Sequence, residues 1–373
     1  MHEVSTQSVV AALATAIYEL SKQEVPEGPA AYDDDVQRVY NHVVLRTLIA
    51  DGYETPGSVP GMLDMMAGQP LCKLLPGDLG DDEDAVLLSD ARRPTQECME
   101  RIVNTNRDVM GEKFENAIMK RVFQACQAAE SPESYVAFRR LLISEPTLTK
   151  KEMTAWFTEI DLQPVAEILE ACYTTAPASL CRDGRYAQCD GCGCLLRPAE
   201  RDEWQCDLDR CRGSRTRVRR YLDADTPGGV HHLEFPLRVF VTGPGIFEVG
   251  LERKLRKRGL KVLMWPAYDA YDLLITFPDG TRWAIDVKDY AHPGILGARF
   301  PGFRSNPPAD KKFLVVPDYR NKKRYRLRFG NARKNAGKSS MALTFEKELL
   351  QEVDKKHVPG PANGQIRKEG PDA

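Results

Sequence analysis

The chain has 373 residues, 42% of them apolar, and a net charge of −2, which allows two or three globular domains. No apolar run approaches membrane-spanning length, and the opening MHEVSTQSVV lacks the basic-then-apolar pattern of a signal peptide, so a soluble, cytoplasmic protein is expected. The charge is split: residues 1–180 carry 15 Lys and Arg against 29 Asp and Glu, and residues 181–373 carry 37 against 25, as expected if the second half meets nucleic acid.

Residues 5–175 are dominated by helical periodicity. VVAALATAIYEL, VQRVYNHVVLRTLIA, FENAIMKRVFQAC and VAEILEACY each repeat apolar residues three and four apart. Loops rich in Gly, Pro and Asp, such as LLPGDLGDDEDA, interrupt them. Cys72, Cys98, Cys126 and Cys172 are isolated and read as small core residues. No catalytic constellation stands out, so residues 1–180 are expected to form an all-α docking or scaffolding domain.

From Cys181 the texture changes. Cys189 and Cys192 form C-x2-C, and Cys206 and Cys211 form C-x4-C after thirteen intervening residues. Two close thiol pairs suit a tetrahedral structural Zn²⁺, whose binding would supply the folding energy of so short a segment. Cys194 is a spare that competes with Cys192 as a ligand. Arg212, Arg215, Arg217, Arg219 and Arg220 follow. Guanidinium forks match phosphate geometry, so this segment is a candidate nucleic-acid contact, against the alternative of a solvated helix face. Residues 181–222 are therefore expected to be a zinc ribbon with an Arg-rich segment.

Strands and one helix then alternate over 223–354. YDLLITF and RWAIDVK flank the connection PDGT, which suits a three-residue hairpin loop with a left-handed glycine. In that register Phe277 faces Thr281 and Asp272 faces Asp286, with Lys288 on the same side. Two opposed carboxylates need a cation between them, and an all-oxygen set suits Mg²⁺ or Mn²⁺. The Val287 carbonyl is a further candidate oxygen. On the helix GIFEVGLERKLRKRGL, Glu248 flanks the stripe Phe247, Leu251 and Leu255 and is expected to point toward the sheet. Glu252 is expected to make a surface pair with Arg256.

These residues resemble the PD-(D/E)xK, or restriction-endonuclease-like, nuclease superfamily over roughly residues 235–345. The signature would be the catalytic set Asp272, Asp286 and Lys288, with Glu248 as the helix acid expected to complete the metal shell or bind a metal water; Tyr271 stands where the family usually has Pro. The chain also resembles the nuclease of prokaryotic PIWI-like (pPIWI-RE) conflict islands. The resemblance implies an α+β multidomain protein: an all-α N-terminal domain, a zinc ribbon and a restriction-endonuclease-like α/β core with a mixed sheet. It implies Mg-dependent cleavage of DNA, with an RNA–DNA hybrid as a further substrate, and a PIWI-like protein and a DinG-type helicase as partners. The rival expectation is a catalytically inactive zinc-ribbon adaptor.

Residues 301–340 carry twelve Lys and Arg against two Asp and Glu. Lys322, Lys323 and Arg324, with Tyr319 and Tyr325 interleaved, are candidate nucleic-acid contacts. GNARKNAGKSS lacks the first glycine of a phosphate-binding loop, which argues against an NTPase. Residues 355–373 have no apolar pattern and are expected to be a disordered tail.

Overall fold

The apolar stripes of the first 150 residues fold as helices: α1 (Thr6–Lys22), α2 (Asp34–Leu48), α3 (Val59–Met66), α4 (Gln96–Thr105), α5 (Gly111–Ala128) and α6 (Pro132–Ser144). The computed structural model describes residues 6–22, 32–105, 111–212 and 216–357. Side-chain oxygens fix helix starts, with Asp33 capping α2 and Ser131 capping α6.

The region before residue 180 is not all-helical. The periodicity of VAEILEACY stops at Glu170, and Tyr173–Thr175 is a strand. It joins Thr147–Thr149 on either side of Val230–Leu233 in a three-stranded antiparallel sheet. The central strand comes from far along the chain, and such pairing overrides local helical spacing.

The cysteine-rich segment forms a small antiparallel sheet of Cys181–Arg182, Arg185–Cys189 and Val218–Asp223. The Arg-rich run thus ends in an edge strand rather than a helix face.

The C-terminal region is built on a five-stranded mixed sheet. Its order is Leu343–Phe345, Lys311–Val316, Arg282–Val287, Leu273–Thr276, Lys261–Met264. The last three are antiparallel, and Arg282–Val287 pairs in parallel with Lys311–Val316. Alternation along Lys311–Val316 separates two layers. Val315 packs with Leu251 and Leu255 of helix Gly243–Arg256 and Leu349 and Val353 of helix Glu346–His357. Leu314 and Val316 pack with Leu296 of helix Pro293–Arg299 and Phe329 of helix Tyr325–Asn335. The last helix runs to His357, so Lys355–His357 are helical rather than part of a tail; the rest of that expected tail lies outside the described residues.

The hydrophobic cores cut across a boundary at residue 180. Residues of α5 and α6, with Leu162, Leu169 and Tyr173, share one core with the sheet residues Ile275, Trp283 and Ile285. Residues of α1 to α4 share a second core with Cys189, Cys192, Cys206 and Cys211. Among the described residues, no helix is long and apolar enough to cross a membrane.

Candidate active site and thiolate metal centre

The hairpin sets the register of the site. Leu273 pairs with Ile285 and Thr276 with Arg282, while the Phe277 amide donates to the Thr281 carbonyl at 2.9 Å. Gly280 closes the loop at φ 83°, a left-handed conformation that glycine adopts without strain. Carried one residue past Leu273, this register sets Asp272 against Asp286, as the turn chemistry predicts. The Lys288 ammonium lies 3.1 Å from Asp272 Oδ2 and 3.6 Å from Asp286 Oδ1. The Val287 amide donates to the same Asp272 oxygen at 2.6 Å.

The electrostatics are those of an over-acidic pocket. Burial, opposed by Lys288 and reinforced by the charges of Asp272 and Asp269, pushes the Asp286 carboxyl up to about 6. Burial pulls the Lys288 ammonium down, but Asp272 and Asp286 outweigh it and hold it well above the usual lysine range, so it is charged. Two oxygen donors on one face, with negative charge in excess, fit a hard divalent cation, and Asp272, Asp286 and the Val287 carbonyl are the groups that would hold it.

Glu248 faces inward from helix Gly243–Arg256, as expected, and is 2% exposed. Its carboxylate accepts from Trp265 Nε1 at 2.6 Å and from Arg139 Nη2 at 3.1 and 3.3 Å. Burial raises the Glu248 carboxyl, while the Arg139 guanidinium and the Trp265 Nε1 donor beside it favour its charged form. Glu252 does pair with Arg256, at 3.0 Å, but it is buried and also holds Arg140 at 2.8 Å, so it is not a surface pair.

Four residues that sequence reasoning did not reach line this site: Arg139, Tyr135, Trp265 and Asp269. Arg139 and Tyr135 come from α6, whose apolar face carries Phe138 and Leu142; an arginine between such positions is the available signal. Helix Gly243–Arg256 admits α6 closely because Gly245 has no side chain: a Cβ there would stand 2.3 Å from Ile143. Trp265 and Asp269 are set by a left-handed stretch, with φ of 45°, 49°, 56° and 71° at Trp265, Ala267, Tyr268 and Asp269. Each such non-glycine conformation costs about 1 kcal/mol, and packing on α5 and α6 offsets it through Phe123–Tyr268 and Tyr135–Tyr268 ring contacts.

The chain leaving Lys288 is anchored by the N-terminal helices. Glu100 of α4, 2% exposed, accepts the Ala291 amide at 2.7 Å and the His292 amide at 2.9 Å. Arg320 bonds Asp289 at 2.7 Å, Asp209 of the cysteine-rich segment at 3.3 Å, and Gln96 of α4. Three separate sequence regions thus meet one residue beyond Lys288.

The four cysteines converge. Cys189, Cys192, Cys206 and Cys211 place their sulfurs within 4.8 Å of one another, and all four are buried. The Sγ separations are 3.9 Å for Cys189–Cys211 and 3.5 Å for Cys192–Cys206. A tetrahedral ion with Zn–S of about 2.3 Å requires about 3.8 Å between sulfurs, so the cluster is able to hold a metal such as zinc. Gly191 keeps the cradle open, since a Cβ there would lie 3.2 Å from Cys211 Sγ. Cys194 is buried but outside the convergent set, which leaves Cys192 as the ligand candidate. Among the described residues no other group of three or more His, Cys, Asp or Glu converges this closely.

The candidate phosphate contacts divide. Arg212 bonds the Asp207 carbonyl at 2.7 Å and Asp209 at 2.9 Å, and Arg220 bonds Glu152 at 2.6 Å, so both serve internal contacts. Arg217, Arg219, Lys322, Lys323 and Arg324 are exposed, and Arg215 lies outside the described residues. Tyr325 is 3% exposed and bonds the Tyr290 carbonyl, which removes it from the surface; Tyr319 directs its hydroxyl to Asp289.

Residues 245–360 match the family model described as REase associating with pPIWI_RE, and residues 9–149 match that of pPIWI_RE three-gene island domain Y. Both matches associate the chain with pPIWI_RE islands. The term REase implies the PD-(D/E)xK superfamily and agrees with the resemblance read from the hairpin. The REase match contains Glu248, Asp272, Asp286 and Lys288, whereas Arg139 falls in the domain Y match, so the pocket is assembled from both. The four cysteines lie between the two. No curated protein and no solved structure matches the chain.

Proposed function

We propose that this chain is a metal-dependent endonuclease that hydrolyses phosphodiester bonds of DNA within a prokaryotic defence island. The observation that carries the reading is the convergence of Lys288 on Asp272 and Asp286. Asp272, Asp286 and the Val287 carbonyl would hold Mg²⁺ or Mn²⁺. When bound, that ion supplies Lewis-acid polarisation of the phosphate and a more acidic water. Lys288 stabilises negative charge developing on the phosphate, and its two carboxylate neighbours keep it protonated for that role. Zn²⁺ on Cys189, Cys192, Cys206 and Cys211 is structural. Exposed Arg217, Arg219, Lys322, Lys323 and Arg324 attract the phosphate backbone. A PIWI-like protein and a DinG-type helicase are the proposed partners, and an RNA–DNA hybrid is a further substrate. The chain acts in the cytoplasm.

The test uses the full chain with those partners supplied. Cleavage should require Mg²⁺ or Mn²⁺, and Asp272→Ala and Asp286→Ala should each lower it by about 100-fold or more while zinc content and folding are kept. Cleavage undiminished in both variants would place the activity in a partner and assign this chain to the inactive-adaptor class, and cleavage that persists in chelator would refute the metal dependence.

A further inference from the structure

A cation belonging to the chain itself stands beside the candidate metal site. Arg139 is 8% exposed and reaches the pocket from α6. One amino group faces Glu248, at 3.1 and 3.3 Å from its two oxygens. The other donates to Asp269 Oδ2, which also accepts from the Tyr135 hydroxyl at 3.3 Å. The guanidinium stacks 4.7 Å over the Trp265 ring, and Trp265 Nε1 donates to Glu248. Both Glu248 oxygens are therefore engaged by donors inside the protein. Asp272 and Asp286 instead turn toward Lys288 and the Val287 amide.

Buried carboxylate–guanidinium pairs resist separation, because either partner left alone is an uncompensated charge away from water. For Glu248 to ligate a metal it would have to abandon Arg139 and Trp265 together. We propose that Arg139 is a positioning residue that holds Glu248 in an ion pair, so that the divalent cation is held by Asp272 and Asp286 without Glu248. Arg139 also lowers the negative charge around that cation and makes cation affinity depend on α6. This rests on the metal-dependent reading above and adds to it which acid is not a ligand.

The experiment measures Mn²⁺ binding to the zinc-loaded full chain by the loss of free-ion paramagnetic resonance signal, with thermal melting as the folding control. Asp272→Asn and Asp286→Asn should weaken binding by about tenfold or more, since each removes a ligand charge. Glu248→Gln should leave the affinity within about threefold of wild type. Arg139→Met should tighten it by about tenfold, because it frees Glu248 as a charge and a ligand. Adding Glu248→Gln to Arg139→Met should return it near wild type, and Arg139→Lys should match wild type. If Arg139→Met fails to fold, Glu248→Gln and Arg139→Lys decide the question. Loss of Mn²⁺ affinity in Glu248→Gln as large as in Asp272→Asn, or weaker binding in a folded Arg139→Met, would overturn this inference alone. Failure of wild type and Arg139→Met alike to bind Mn²⁺ would overturn it together with the metal-dependent reading.

Discussion

Single buried charges do much of the structural work around the candidate site, and they make sharp tests. Glu100 accepts two backbone amides and, at 3.0 Å, the Gln96 amide. Burial pushes its carboxyl up to about 8, with Arg320 and those two amides pulling it back. Glu100→Gln would turn an NH₂ group toward a backbone donor, leaving at least one buried donor unpaired. That should cost about 1–3 kcal/mol in urea unfolding and loosen residues 289–292. A neutral effect would mean that the clasp between α4 and the segment after Lys288 carries little energy. At this scale the sequence was legible wherever chemistry was local. The C-x2-C and C-x4-C spacings pointed to the convergent thiols, and Asp279 and Gly280 fixed the turn that brings Asp272, Asp286 and Lys288 together. Arg139 was not legible, because its partners Glu248 and Asp269 lie more than a hundred residues away.

Elements formed where their pattern was periodic and short in range, and departed where a distant strand competed. The Phe277–Thr281 register follows from one loop. The strand Tyr173–Thr175 depends on Val230–Leu233 and reads as helix in isolation. That small sheet carries a pH signature. His232, between Thr147 and Thr174, is 7% exposed, and burial, with Arg238 nearby, pulls its imidazole down to about 3 while Asp207 opposes. Above pH 6.5 the ring is neutral folded or unfolded, and the shift has no effect. Between pH 6.5 and 3 the unfolded chain takes a proton that the folded chain refuses. Stability then falls on acidification by about 1.4 kcal/mol per pH unit from this group. Denaturant melts of His232→Asn should show a flatter acid limb than wild type over that window. Equal slopes would mean that the ring is protonated in the folded state.

At the scale of the whole molecule, the two cores tie regions that composition separates. The acidic half and the basic half differ in charge, yet α5 and α6 close the core under the sheet, and α1 to α4 close over the cysteines. Charge reports on the surface, whereas the cores follow apolar faces whose partners the sequence does not name. Metal loss should therefore reach beyond the cysteine-rich segment. Cys189→Ser, or zinc chelation, should speed amide exchange in α1 and α4 as well as in residues 185–211, and exchange confined to the latter would refute the shared core. The claim that joins all three scales is that Lys288 works with Asp272 and Asp286 in a pocket completed by α6. Its most direct measurement compares the full-length wild type with Lys288→Ala in Mg²⁺, partners supplied, on single-stranded DNA, double-stranded DNA and RNA–DNA hybrid. The account predicts cleavage of at least one of these by the wild type and a loss of about 100-fold or more in Lys288→Ala, with melting and zinc content kept. Equal cleavage by the two proteins would contradict it.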